Sequence, residues 1–218
     1  MVNQITFDCE TGPLPAAEIA AMLPEFDPAE VKVGNLKDAE KIAAKIAEAK
    51  ANHLADFTER AALSPVTGRV LCIGWLIGGS FSYFGNDDDE AQLLRDFWKA
   101  ADGVELIGFN CIPFDLPFLI RRSWKLAVPV PSHIRHGRYF ADTITDLRAE
   151  WQLGNREFRG GLDYVARFLG LGEKNGSGAN FAAAWETDRK GALNYLENDC
   201  RLTAKIAERM GILRDDNF

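Results

Sequence analysis

Apolar positions in this chain alternate between compact runs of strand length and stripes of helical spacing. Residues 2–8 form the first run, which leads straight into Asp8-Cys9-Glu10-Thr11-Gly12. At residue 13 the pattern breaks. Pro13, Pro15, Pro24 and Pro28 predict a loop, and helical spacing begins near Lys37, where Ile42, Ile46, His53, Leu54 and Phe57 recur on one face. Residues 13–62 therefore read as a mostly helical insertion after the first strand. Ser64-Pro65-Val66-Thr67-Gly68 is a turn, and strands at residues 69–77 and 80–84 meet at Gly78-Gly79, a hairpin signal. Leu93, Leu94, Phe97 and Trp98 mark a helix, residues 104–109 a buried strand, and residues 116–126 another helix. Residues 139–141 predict a short strand, with Asp142 or Thr143 capping a helix that reaches about residue 153. Helices over residues 162–169 and 188–210 follow. A hairpin, strand–helix units and terminal helices predict an α/β fold: a mixed sheet with helices on both faces, one domain over residues 1–218.

Composition narrows the class. Hydrophobic residues make up 47% of the 218, enough for one sizeable core. The longest apolar run, residues 70–77, falls far short of the roughly 20 residues a membrane-spanning helix needs. No basic segment followed by an apolar one stands at the start, so a cytoplasmic protein without membrane contact is expected. Cys9, Cys72, Cys111 and Cys200 form no Cys-x-x-Cys pair and read as buried small hydrophobes in a reducing compartment. Trp75, Trp98, Trp124, Trp151 and Trp185 read as core. A net charge of −7 argues against nucleic acid until its distribution is seen. Residues 1–110 carry nine Lys/Arg against eighteen Asp/Glu, whereas residues 111–218 carry sixteen against fourteen. Arg121, Arg122, Lys125, Arg135, Arg138, Arg156, Arg159 and Lys174 could track a phosphate backbone; a scatter of solvated cations is the competing reading. This balance predicts local contact with a strand end, not the coating of long nucleic acid.

The candidate chemistry lies in carboxylates picked out by context. Residues two apart in a strand point to one face, so Asp8 and Glu10 project together while Cys9 points away. Two ionised carboxylates side by side repel, and a site that keeps both charged normally holds cations. Asp-x-Glu recurs at Asp38/Glu40 and Asp88/Glu90, but both copies lie at helix starts, where acids cap and face the dipole. The run Asp87-Asp88-Asp89-Glu90 thus reads as a first helical turn, not a metal cluster. Tyr-x-x-x-Asp occurs at Tyr83/Asp87, across a strand end and a loop, and at Tyr195/Asp199, inside a helix where positions four apart share a face. Between them stands Asn110-Cys111-Ile112-Pro113-Phe114-Asp115, directly after a buried strand. Asp142 reads as a helix cap rather than a fifth carboxylate.

In order and context these pieces resemble the DEDD exonuclease superfamily, a branch of the ribonuclease H-like fold. Asp8 and Glu10 match its first motif, Asn110 with Phe114-Asp115 its second, and Tyr195 with Asp199 its third, in the tyrosine form (DEDDy). That form is similar to the proofreading exonuclease domain of family-B DNA polymerases and to stand-alone exonucleases like it. Leu162-Asp163-Tyr164-Val165-Ala166 and Leu169-Gly170-Leu171-Gly172-Glu173-Lys174 are similar to the segment preceding the third motif. The sister form carries a histidine five residues before the last aspartate. Here that position is Asn194, and His53, His133 and His136 lie elsewhere, so the role falls to Tyr195. The resemblance covers nearly the whole chain outside residues 13–62 and implies a ribonuclease H-like sheet flanked by helices.

It also implies a metal-dependent 3′–5′ exonuclease that releases 5′-nucleoside monophosphates from DNA 3′ ends, with single strands preferred. Two Mg2+ or Mn2+ ions are implied, Asp8 bridging them, Glu10 and Asp199 completing one side and Asp115 holding the other. Free tyrosine, with a pKa of about 10, is a poor base at neutral pH, so Tyr195 is expected to aim a water by a hydrogen bond. Thr11, Asn110, Phe114 and Lys174 are the implied contacts to nucleic acid; packing is an equal reading for Phe114 and solvation for Lys174. Other readings stay open: a catalytically silent nucleic-acid-binding module of the same fold, an exoribonuclease, and a phosphatase acting on small nucleotides. An editing role implies a polymerase or other replication or repair protein as a separate chain. The insertion covers the sheet or walls a substrate groove.

Overall fold

The computed structural model describes residues 4–86, 89–134, 143–155, 157 and 160–213. The expected strand at 139–141, the Asp142 cap, Asp87, Asp88, His136, Arg135, Arg138, Arg156 and Arg159 lie outside the described residues. Two compact units are present: residues 1–11 with 70–218, and residues 12–69.

The larger unit is built on one five-stranded sheet in the order β3-β2-β1-β4-β5. Its strands are β1 (Gln4–Pro13), β2 (Gly68–Ile77), β3 (Ser80–Gly85), β4 (Glu105–Gly108) and β5 (Ile144–Asp146). β1 pairs with β4 and β4 with β5 in parallel, whereas β2 and β3 form the expected antiparallel hairpin. Its two-residue turn needs left-handed backbone at both positions, which Gly78 (φ 51°) and Gly79 (φ 78°) supply without a Cβ clash. A mixed sheet flanked by helices is therefore the fold.

Strand alternation sorts β1 onto two faces. Ile5, Phe7 and Cys9 join Val70, Ile73 and Leu106 in a core closed by α3 (Glu90–Ala100) and α4 (Asp115–Lys125). On other faces, Leu71, Cys72 and Leu76 pack with Phe181 and Trp185 of α7 (Phe181–Thr187) and Leu196 of α8 (Arg189–Arg209). Ile107 meets α5 (Leu147–Gln152), α6 (Leu162–Phe168) and the far end of α8. All four cysteines are buried free thiols, as expected.

Several local expectations change. β1 continues to Pro13, so both acids lie inside a strand and not at its end. Among the described residues the next strand after α4 is β5, and its helix is capped by Asp146, whose carboxylate accepts the Arg148 N–H at 2.9 Å. Trp124 lies 58% exposed rather than in the core. Asp89 caps α3 through Gln92 N–H, as its sequence suggested. Glu90 does more than fill a first turn: it accepts Val70 N–H at 2.8 Å and two hydrogen bonds from Arg122, at 2.9 and 2.6 Å. Arg122 is thus buried in an ion pair and withdrawn from the proposed phosphate track. Arg122→Met leaves the Glu90 carboxylate buried without its partner, and a denaturation midpoint should report a loss of about 3 kcal/mol or more.

The smaller unit holds α1 (Ala16–Met22), a short 3-10 turn (Pro28–Glu30) and α2 (Ala39–Ala61). α1 falls where the prolines predicted loop; Pro15 stands just before it, where a missing N–H costs the helix nothing. Asp38 caps α2 through the N–H groups of Glu40 and Lys41. The half-buried face of α2 carries Ile42, Ile46, His53 and Phe57, with His53 bonded to Pro24 O at 2.8 Å and edge-on to Phe26; Leu54 is exposed.

Among the described residues, no helix is long and apolar enough to cross a membrane.

Candidate active site

Two elements, β1 and α8, converge on one cluster, and α4 brings Asp115 near enough to Asp8 to feel its charge. Asp8 and Glu10 leave β1 on the face opposite Cys9, and one turn of α8 places Tyr195 and Asp199 on the same side of that helix. Asp8, Glu10 and Asp199 each bring a carboxylate oxygen within 4.8 Å of the others. Glu10, Asp199 and Asp115, the first residue of α4, are buried, and Asp8 is half-buried.

Such crowding shows in the protonation of every member. Burial, then the Asp199 charge, raises the Asp8 pKa from 3.8 to about 7, against the opposing pull of the Lys174 ammonium and the Cys9 N–H. Burial first and Asp8 second push Glu10 well above its usual range, and the same two causes act on Asp115. Burial also raises Asp199, offset by Lys174, whose Nζ lies 2.5 Å from Asp199 Oδ2. Tyr195, raised by burial and then by Glu10 and Asp199, stays a protonated phenol throughout the neutral range. Lys174 also stands over its ring, 4.9 Å from the centroid. Asp163 on α6 anchors that lysine by accepting its backbone N–H at 2.7 Å.

The donor set suits a hard divalent cation. It is all carboxylate oxygen, and its like charges meet one ammonium among the described residues. Asp199 Oδ1 is buried without a hydrogen-bond partner, an orphan acceptor of the kind a cation satisfies.

With that geometry in hand, the relatives can be placed. Residues 80–210 match the family described as a predicted 3′-5′ exonuclease related to the exonuclease domain of PolB. The chain belongs to this family. The matched span includes Asn110, Phe114, Asp115, Lys174, Tyr195 and Asp199, while Asp8 and Glu10 precede it. A family B DNA polymerase from the hyperthermophilic archaeon Pyrobaculum calidifontis superposes with a TM-score of 0.64 at 18% identity. The match covers 96% of this chain and 24% of that polymerase, and at that identity it speaks for the fold alone. Among curated proteins, none matches the chain.

Of the other residues singled out in the sequence, Lys174 is the one shown in contact with the cluster. Thr11 follows Glu10 in β1 and is buried. Asn110, just beyond β4, has left-handed backbone (φ 64°), and its side-chain oxygen is held by Arg148. Phe114 packs against the core, its ring centroid 5.9 Å from that of Phe118. Lys174 points at Asp199 rather than into bulk water.

Two groups escaped the sequence reading. Asp146 and Arg148 engage the Asn110 turn from 36 and 38 residues away. Gly176 lies against the face of Tyr195, where a Cβ would come within 2.8 Å of the ring. The local signal for the latter is glycine at 176 and 178, on either side of Ser177, in the segment before the helix that carries the tyrosine.

Proposed function

We propose that this protein is a metal-dependent 3′–5′ exonuclease of the tyrosine type, hydrolysing the terminal phosphodiester of a DNA strand and releasing a 5′-nucleoside monophosphate. The observation that carries this reading is the meeting of Asp8, Glu10 and Asp199 within 4.8 Å, with Tyr195 one turn from Asp199. Asp8, Glu10, Asp115 and Asp199 would hold two Mg2+ or Mn2+ ions. Bound there, such ions supply Lewis acidity at the phosphoryl oxygens and an activated water at neutral pH.

The chain's own groups do the rest. Buried and beside Glu10 and Asp199, the Tyr195 phenol keeps its proton and so acts as a donor that orients the attacking water, not as a base. Lys174 brings an ammonium against Asp199 and would favour the negative charge that builds on the phosphoryl group. Thr11, next to Glu10 in sequence, and Asn110 and Phe114, in the segment leading to Asp115, would receive the terminal nucleotide. A single-stranded 3′ end is the preferred substrate of this reading, and an editing role would pair the protein with a polymerase.

Tyr195→Phe removes the hydroxyl and keeps the ring packing. It is expected to lower kcat about 10- to 100-fold with KM nearly unchanged, as steady-state kinetics would show. The reading itself is tested by product analysis with DNA, matched RNA and free nucleotides as substrates. Mononucleotides from DNA support it; faster release from RNA moves it to an exoribonuclease, and phosphate from free nucleotides alone moves it to a phosphatase. Specific strand binding without any product would leave a silent binding module.

A further inference from the structure

Asp146 and Arg148 stand outside the carboxylate cluster, yet their contacts converge on one turn. The register Gly108↔Asp146 sets the end of β5 beside the end of β4, and Thr6↔Ile107 brings Asp8 to the same edge. In open parallel sheets ligands bind at that carboxyl edge. Buried Asp146 uses both oxygens there: Oδ1 accepts Asn110 N–H at 2.8 Å and Arg148 N–H at 2.9 Å, and Oδ2 accepts Ile112 N–H at 3.0 Å. Asn110 between them has φ 64°, a left-handed conformation that asparagine adopts more readily than most residues with a side chain. Arg148 Nη1 then donates to Asn110 Oδ1 at 2.6 Å.

A guanidinium has donors and no acceptor, so the asparagine oxygen must be the end that faces it. The Nδ2 amide is thereby turned away from Arg148 as a fixed pair of donors. We infer that Asp146 and Arg148 are positioning residues that hold Asn110 as a hydrogen-bond donor toward an acceptor oxygen, sugar or phosphate, of the strand's terminal nucleotide. Asp146 fixes the backbone of the turn, and Arg148 fixes which end of the amide the substrate meets. The inference rests on the exonuclease reading for the identity of the strand.

A double-mutant cycle separates positioning from contact. The readout is fluorescence anisotropy of a single-stranded DNA oligonucleotide with a free 3′ hydroxyl, in Ca2+, for wild type, Arg148→Met, Asn110→Ala and the double variant. Arg148→Met should weaken binding about tenfold in the wild-type background and less than about twofold when Asn110 is already alanine. Arg148→Lys, which keeps one charged donor, should recover part of the loss, and it stands in should Arg148→Met fail to fold. Equal losses in both backgrounds would mean that Arg148 touches the strand itself, and no loss in either that it does not act on Asn110; each overturns the inference. Wild-type protein that binds the strand but never cleaves it refutes the nuclease reading while the cycle still decides the inference. Protein that neither binds nor cleaves removes both.

Discussion

Asp8→Asn is expected to lower the exonuclease rate at least about a thousandfold while making the metal-free protein more stable. The two effects share one origin. Asp8 stands within 4.8 Å of Glu10 and Asp199, and burial with the Asp199 charge pushes its pKa up to about 7, so its charge is unfavourable there. An amide of the same shape removes that charge and can donate to the neighbouring carboxylates, so stability at pH 8 in EDTA should rise by about 1–3 kcal/mol. The same substitution removes the acid best placed to face both halves of the cluster, and the chemistry goes with it. Denaturation midpoints and single-turnover rates on one preparation check both signs. A variant that loses activity and stability together would show Asp8 to be a structural hydrogen-bonding group, and the like-charge account of the site would fail.

The second large effect is a pH dependence that metal reverses. Asp8, Glu10, Asp115 and Asp199 all have pKa values raised in the folded protein, so the folded state binds more protons than the unfolded one. Their contribution is full below the unfolded value and is lost as pH climbs; for Asp8 the window runs from 3.8 to about 7. In EDTA, stability is expected to drop by about 2–4 kcal/mol between pH 5 and pH 8. Mg2+ or Mn2+ at a hundred times its Kd should restore about 2.7 kcal/mol at pH 8. It should restore far less at pH 5, where protons compete for the ligands. Thermal melts across pH, with and without metal, read this directly. Equal stabilisation by metal at both pH values would place the ion elsewhere on the surface.

What the sequence disclosed follows the range of the interactions concerned. Period-two and period-3.6 patterns are local, so the alternation Ile5, Phe7, Cys9 against Asp8 and Glu10, the Gly78-Gly79 hairpin and the Leu93–Trp98 stripe could be read along the chain. The Tyr195/Asp199 pair was legible for the same reason, because a helix converts a spacing of four into a shared face. β5 has three residues, too few for a period, and so neither this strand nor the Asp146 cap could be read along the chain. α7 follows a glycine-rich stretch and carries three alanines in its seven residues; only Phe181 and Trp185, four apart and both buried, betray it. Arg122 could not be told from a surface cation, since its partner Glu90 lies 32 residues upstream and was already explained as part of a helix start. Asp146 presents the same difficulty, because a cap and a clamp use the same carboxylate and only the distant turn distinguishes them.

The most direct test follows a 5′-labelled single-stranded DNA oligonucleotide incubated with Mg2+ or Mn2+ beside Asp8→Ala and Asp199→Ala. The account predicts a ladder shortening from the 3′ end that EDTA and either substitution abolishes. Intact oligonucleotide with folded, metal-loaded wild-type protein, or a ladder that persists in Asp8→Ala, would contradict it.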